Sequence, residues 1–330
     1  MKEYEIRPKE LFEQFLELSG KDIEKYFDNE DRLVIPCPAC FSEEKKFAFS
    51  KNGFDFVECE KCLTLYLSPR PSLSQFEQFY IESPSSEFMA SVFFPTVEES
   101  RRKKIVEPRA QRILEMCKIE GLKLGNVVDV GAGSGIFLEE FQKKQPESLL
   151  FGVEPSPRFS ETCRKKGFSV LEELAENAGT WKEKADLVTC FEVIEHAHNP
   201  FKFVKSLYEL LKKNGMVVVT GLGCQGFDIQ TLWGNSKSVT PPHHINFFSI
   251  KGFKVLFEKV GFERVEVITP GKLDVDIVLN AIKEDSSINI DRFLKILLEK
   301  DGSALEEFQN FLAKHKLSSH CWIKARKPEQ

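Results

Sequence analysis

Apolar residues recur at Leu11, Phe12, Phe15, Leu16 and Leu18, close to the spacing of a helix face, so the chain before residue 31 is expected to be helical. The period then changes. Lys46–Ser50 and Phe54–Glu58 alternate apolar and polar, like two short strands turning at Lys51, Asn52 and Gly53. Pro69 and Pro71 end that unit. Residues 72–95 read as short helices and loops, and a helix follows from Glu98 to Lys118, with Ile105, Ile113, Leu114 and Cys117 apolar and a kink at Pro108. From Leu124 onward short β-branched runs alternate with amphipathic stretches. Strands are predicted at Val127–Val130, Ser148–Glu154, Phe168–Leu171, Lys184–Glu192, Met216–Thr220 and Phe262–Thr269. Helices are expected to open at Ile136 and Pro157, to run from Pro200 to Lys212 with a turn at Lys213, Asn214 and Gly215, and to span Phe253–Gly261. Three amphipathic helices, Asp276–Ile282, Ile290–Leu298 and Leu305–Lys314, precede a last strand at Ser319–Arg326. The alternation predicts an α/β fold, a doubly wound parallel sheet with its ligand at the strand C-termini. The expected divisions are an N-terminal helix (1–30), a small module (31–70), a helical connector (71–108) and a main domain (109–330) with a helical insertion at 274–317.

Cysteine spacing gives the small module its chemistry. Cys37 and Cys40 form one C-x2-C pair, Cys59 and Cys62 another, with 18 residues between the pairs. That is the pattern of a four-thiolate zinc ribbon, closed to further ligands and therefore structural. Its rivals, disulfides or a redox-active pair, lack an export signal and a βαβ setting. Cys117, Cys163, Cys190, Cys224 and Cys321 are scattered and expected to be buried small hydrophobes. With 42% hydrophobic and 29% charged residues the chain is ordinary for a globular protein, and no stretch is long and apolar enough for a membrane helix. The start carries no apolar leader, which points to the cytoplasm. A net charge of -5 argues against duplex binding, and the run Arg101–Lys104 is expected to be a solvated helix face.

Residues 124–138 narrow the cofactor. Val127, Val128 and Val130 make a buried strand with Asp129 near its end, then Gly131, Ala132, Gly133 and Gly135 form a turn before a helix. A dinucleotide fingerprint would need glycine where Ile136 stands. The observed D-x-G-x-G-x-G suits a ligand without pyrophosphate but with an ammonium group, for which Asp129 is a partner. Glu154 ends the next strand, where a carboxylate can accept ribose hydroxyls. Asp129–Gly135, Glu154 and Phe191–His196 together resemble motifs of class I S-adenosylmethionine-dependent methyltransferases, the last being similar to the ubiquinone-biosynthesis type. The resemblance covers residues 109–262. It implies a Rossmann-like, seven-stranded methyltransferase sheet with Asp129, Gly131, Ala132, Gly133 and Gly135 around the methionine portion. It also implies Glu154 on the ribose and Phe191, Glu192 and Val193 near the cofactor. The adenine contact stays open, with Glu172 and Glu173 as candidates. With the ribbon added, the chain resembles zinc-ribbon methyltransferases of sugar and surface-polysaccharide biosynthesis, although it lacks the extra C-terminal domain of the sugar C-methyltransferases.

Four of the six histidines fall in two loops at the expected ligand edge, His196 and His198 in one, His243 and His244 in the other. A neutral imidazole can take the proton of an acceptor hydroxyl, so His243, His244 and His196 are the candidate bases. No carboxylate stands at ligand spacing from the histidine pair, so a metal there is not expected. Residues 221–234 are longer than a sheet connection needs and are expected to shape the acceptor pocket, with Trp233 as a wall. The reading is methyl transfer to a small molecule or glycan, such as a nucleotide-linked sugar or surface polysaccharide. The rivals are an RNA methyltransferase whose ribbon grips the substrate, and a non-catalytic cofactor-binding protein.

Overall fold

The computed structural model describes residues 1–27 and 32–329, so the boundary expected between residues 30 and 31 lies outside the described residues. The N-terminal helix α1 (Lys9–Tyr26) leads to a hairpin, β1 (Lys45–Lys51) and β2 (Phe54–Cys59), and to a short strand β3 (Leu65–Leu67) that the sequence pattern did not reveal. The connector consists of α2 (Leu73–Glu82), α3 (Pro84–Phe88), α4 (Phe94–Arg101) and α5 (Glu107–Ile119), with wider helical turns at Met89–Phe93 and Arg102–Val106. Pro108 lies inside a helix that runs on unbroken from the wider turn at Arg102–Val106, and that wider turn just before it accommodates the missing N–H, so no break marks the expected kink.

The main sheet follows. Its strands are β4 (Asn126–Val130), β5 (Leu149–Val153), β6 (Ser169–Leu171), β7 (Ala185–Phe191) and β8 (Leu211–Leu222), connected by α6 (Ile136–Lys144), α7 (Pro157–Lys165) and α8 (Pro200–Leu210). After β8 come α9 (Phe227–Leu232), a two-residue strand β9 (Asn246–Phe247), α10 (Ile250–Val260) and β10 (Glu263–Ile268). The insertion α11 (Asp274–Glu284), α12 (Arg292–Leu298) and α13 (Gly302–Lys314) precedes β11 (His320–Arg326). The strand order is β10-β11-β8-β7-β4-β5-β6. The sheet is mixed rather than all parallel: β11 runs antiparallel to both neighbours, since it returns from the insertion without a crossover over the sheet. The helix expected to Lys212 ends at Leu210. Ala185 pairs with Leu211 and Leu187 with Met216, so residues 212–215 bulge out of β8 instead of forming a separate turn.

Side-chain alternation builds two core layers. Val127, Leu187, Met216 and Val218 face α5 and α6, whereas Val128, Val188, Val217 and Val219 face α8 and α10. No described helix is long and apolar enough to cross a membrane.

A second, four-stranded sheet has the order β1-β2-β3-β9. Leu65 pairs with Phe247 and Tyr66 with Asn246, so the cysteine-bearing hairpin and the chain segment beside His244 share one hydrogen-bonded sheet. Arg70 fastens this join from inside. It is 2% exposed, and it donates to the carbonyls of His198 (2.7 Å) and Ile245 and to Asn246 Oδ1 (2.7 Å). The insertion has a small core of its own, with Val275, Val278, Ile290, Leu298 and Leu312 packed against Leu232 of α9.

Candidate functional site

The turn after β4 is set by glycine backbone. Gly131 has φ +73 and a Cβ there would stand 2.5 Å from Val193 Cγ2; Gly135 has φ +80 and would meet Cys163 Sγ at 2.7 Å. A side chain at either position would both strain the turn and push out a neighbour. The close approach also joins the glycine turn to Val193, which follows the adjacent strand. Gly133 N–H donates to Glu154 Oε2 at 2.9 Å and Ser156 N–H to Glu154 Oε1 at 2.9 Å, which orients that carboxylate at the end of β5. Burial pushes the Glu154 carboxyl up, against these two bonds. Asp129 is 2% exposed and accepts from the Thr189 hydroxyl at 2.7 Å. Burial carries its carboxyl up to about 7, opposed by Thr189 and Arg109. Glu172 turns instead to Arg164, at 2.8 Å.

Phe191, Glu192 and Val193 stand between this turn and a charged network. The Glu192 side chain accepts from the Thr220 hydroxyl at 2.5 Å and lies 3.5 Å from Arg109 and 3.4 Å from His320. Burial works against its charge, but His320, Arg109 and Thr220 outweigh burial and hold it below the usual range. Arg109 stacks over the Phe191 ring at 4.4 Å, and its Nε has no partner among the described residues. Pattern reading missed Arg109 because a lone arginine on a helix looks like surface. The run Arg101–Lys104, expected as a solvated helix face, is corrected at its first two residues. Arg102 is not solvated: it bridges Glu98, Glu139 and Glu140. Arg101 is desolvated beside Arg109 and brought down to about 10, first by burial and then by that second guanidinium.

The two histidine loops meet. The rings of His196 and His244 have centroids 4.8 Å apart. His244 Nδ1–H donates to the Ser238 carbonyl at 2.6 Å, which leaves Nε2 with the free lone pair. Burial lowers all three imidazoles, His243 to about 3 and His244 to about 4. Tyr80 lies 3.3 Å from His196 Nδ1. His243 is enclosed differently. Phe15 packs on it tilted and Phe79 edge-on, with ring centroids at 4.9 and 4.8 Å, and Nε2 faces Ser85 Oγ at 3.4 Å. Trp233, expected as a pocket wall, packs its ring on Phe49 of the hairpin at 5.3 Å.

The expectation of no carboxylate near the histidines is corrected. Glu195, His196 and His244 bring their ligating atoms within 4.8 Å of one another, because the loop after β7 folds back under the segment before β9. Ile245 N–H and Asn246 N–H both donate to the Glu195 carbonyl, closing that contact. Glu195 Oε2 is buried with no hydrogen-bond partner among the described residues, and burial, then the charge of Glu192, pushes the carboxyl well above the usual range, so a cation or a polar ligand there would satisfy it.

The four cysteines converge as the spacing predicts. Cys37 Sγ lies 3.5 Å from Cys62 Sγ and Cys40 Sγ 3.5 Å from Cys59 Sγ, and all four sulfurs lie within 4.8 Å. Tetrahedral zinc with bonds of about 2.3 Å needs sulfurs about 3.8 Å apart, so the donor set and its dimensions fit that metal.

The methyltransferase domain family matches residues 98–267. Over 146 residues the chain is 33% identical to a ubiquinone biosynthesis O-methyltransferase of Vibrio parahaemolyticus, covering 41% of this chain and 60% of that protein. It is 29% identical over 154 residues to a tRNA U34 carboxymethyltransferase of Sulfurimonas denitrificans, covering 44% of this chain and 51% of that one. The chain thus spans little more than half the length of these relatives. Among solved structures, the plantazolicin methyltransferase BpumL in complex with SAH shares the fold, with a TM-score of 0.51 at 14% identity over 77% of this chain and 94% of that one. The family match takes in over half of the chain and everything from the glycine turn to β10, and the chain belongs to the methyltransferase domain family.

Proposed function

We propose that this protein transfers the methyl group of S-adenosylmethionine to a hydroxyl of a small-molecule or glycan acceptor, such as a nucleotide-linked sugar. The observation that carries this reading is convergence at one sheet edge: the glycine turn with Asp129 and Glu154, and the imidazoles of His196 and His244 from two separate loops. In this reading Asp129 faces the ammonium of the methionine portion and Glu154 accepts the ribose hydroxyls. Gly131, Ala132, Gly133 and Gly135 offer close backbone, and Phe191 and Val193 flank it. Glu192 acts through Arg109, whose free Nε is the donor available to a carboxylate.

The sulfonium supplies an already activated methyl group, so the protein's work is placement and proton removal. As the acceptor oxygen forms its bond to the methyl carbon, the sulfur–methyl bond breaks and the hydroxyl proton passes to His244 Nε2. His244 is assigned this role because Ser238 fixes its tautomer; His243, boxed by Phe15 and Phe79, positions the loop. A second reading has Glu195, His196 and His244 hold a divalent cation that orients the acceptor oxygen, and the orphaned Glu195 Oε2 favours it. A Glu195→Gln variant that keeps full turnover would exclude it, a test that leaves the four cysteines untouched. Cys37, Cys40, Cys59 and Cys62 are proposed to bind one structural zinc ion, and the cytoplasm remains the expected compartment.

The test is a transfer assay with labelled methyl donor against nucleotide sugars, glycans and RNA. Incorporation into a sugar hydroxyl supports the proposal. Incorporation into RNA alone would replace it with the rival that the tRNA-modifying relative suggests.

A further inference from the structure

A cavity of about 500 Å³ opens between α1, the turn of the β1–β2 hairpin and the loop after Trp233. Leu16, Ile23 and Val239 give it apolar walls. Its polar groups are unequally satisfied. Lys237 is neutralised by Glu284 at 2.6 Å, and Glu24 sits exposed at the rim. Lys51 donates to the Ser236 carbonyl at 2.7 Å, and no carboxylate among the described residues pairs with it. Burial, aided by the charge of Lys237, brings Lys51 down to about 8. Ser19 lines the same cavity at 2% exposure, with a hydroxyl that has no partner among the described residues. Asn52, at the hairpin turn, adds an amide.

A desolvated ammonium with no counter-ion among the described residues, on a cavity that also carries an unused hydroxyl, is costly in an empty site and favourable in a filled one. The volume falls in the range of small-molecule sites. We propose that this cavity binds a phosphorylated small molecule, its phosphate held by Lys51 with Ser19 and Asn52, its organic part against Leu16, Ile23 and Val239.

The wall connects to the methyl-transfer site through one loop. Lys237, Val239 and Thr240 line the cavity, while the Ser238 and Thr240 carbonyls accept from His244 Nδ1–H (2.6 Å) and His244 N–H (3.0 Å). A ligand seated on Lys51 therefore steadies the loop that aims His244. The consequence for His244 rests on the methyl-transfer reading; that the cavity takes a phosphate does not.

Calorimetry on the full chain tests this with uridine diphosphate and inorganic pyrophosphate as probes, uridine as the neutral control and S-adenosylhomocysteine as a control for the cofactor site. Uridine diphosphate should bind and uridine should not. Lys51→Met should weaken the diphosphate by about ten- to hundredfold, the worth of one hydrogen bond to a charged group, and Lys51→Arg should restore most of it. Ser19→Ala removes a hydroxyl the fold does not use, so it should weaken the diphosphate several-fold without lowering the melting temperature. Equal binding by Lys51→Met, equal binding of uridine, or no binding of either phosphorylated probe would overturn the proposal. Failure of S-adenosylhomocysteine to bind would count against the methyl-transfer reading alone.

Discussion

Replacing Asp129 by Asn removes a proton-binding group from the interior while keeping its shape. In the ligand-free protein the Asp129 carboxyl sits at about 7 because it is buried. At about pH 6.5 roughly three-quarters of the molecules then carry its proton. An ammonium group docking beside it favours the carboxylate, so S-adenosylhomocysteine binding should expel about 0.7 proton per chain. Calorimetry in two buffers of different ionisation enthalpy counts that release. The Asp129→Asn variant should release close to none and bind about ten- to hundredfold more weakly. Without ligand the sign is opposite. The folded pKa lies above the value of about 3.9 for an unfolded Asp, so this group's stabilising contribution is complete below about pH 4 and is lost as pH rises through about 7. Up to about 4 kcal/mol separates those limits, so the ligand-free variant should melt above the parent at about pH 8 and level with it at about pH 4. Unchanged affinity together with an unchanged proton count in Asp129→Asn would refute the placement of an ammonium beside this carboxylate.

His244→Gln should lower turnover by about 10²–10⁴ with cofactor affinity intact, the usual worth of a general base. His243→Phe, which keeps the aromatic packing, should lose far less; steady-state kinetics on both variants separates the roles. Stripping zinc, or Cys62→Ser, should abolish transfer while S-adenosylhomocysteine still binds, because β3 holds β9 but not the glycine turn. Metal content, calorimetry and turnover on one sample check that order. Arg70→Met should destabilise the protein by about 3 kcal/mol or more in denaturant titration, since His198 O and Asn246 Oδ1 each lose a donor from a charged group.

Local rules account for what was legible beforehand. The glycine turn, the strands β4 to β8, β10 and β11, and the paired cysteines each depend on residues close in sequence, through backbone sterics, side-chain period and ligand spacing. β3 was invisible because three residues carry too little alternation to register, and β9 because two residues carry none. The antiparallel sense of β11 depends on its route through the insertion, not on the residues of β11.

The sequence by itself determined the type of core and the position of its glycine turn, since Gly131 and Gly135 occupy backbone that few other residues adopt. Only the tertiary structure decided the rest of the site. It brought Glu195 to His196 and His244, turned Arg102 and Arg109 inward, boxed His243 with Phe15 and Phe79, and built the hairpin of the four cysteines into one sheet with the segment beside His244. The physical reason is range. Burial, ion pairing and strand pairing act between groups distant in the chain, and nothing in the identity of either partner states that the other will be there.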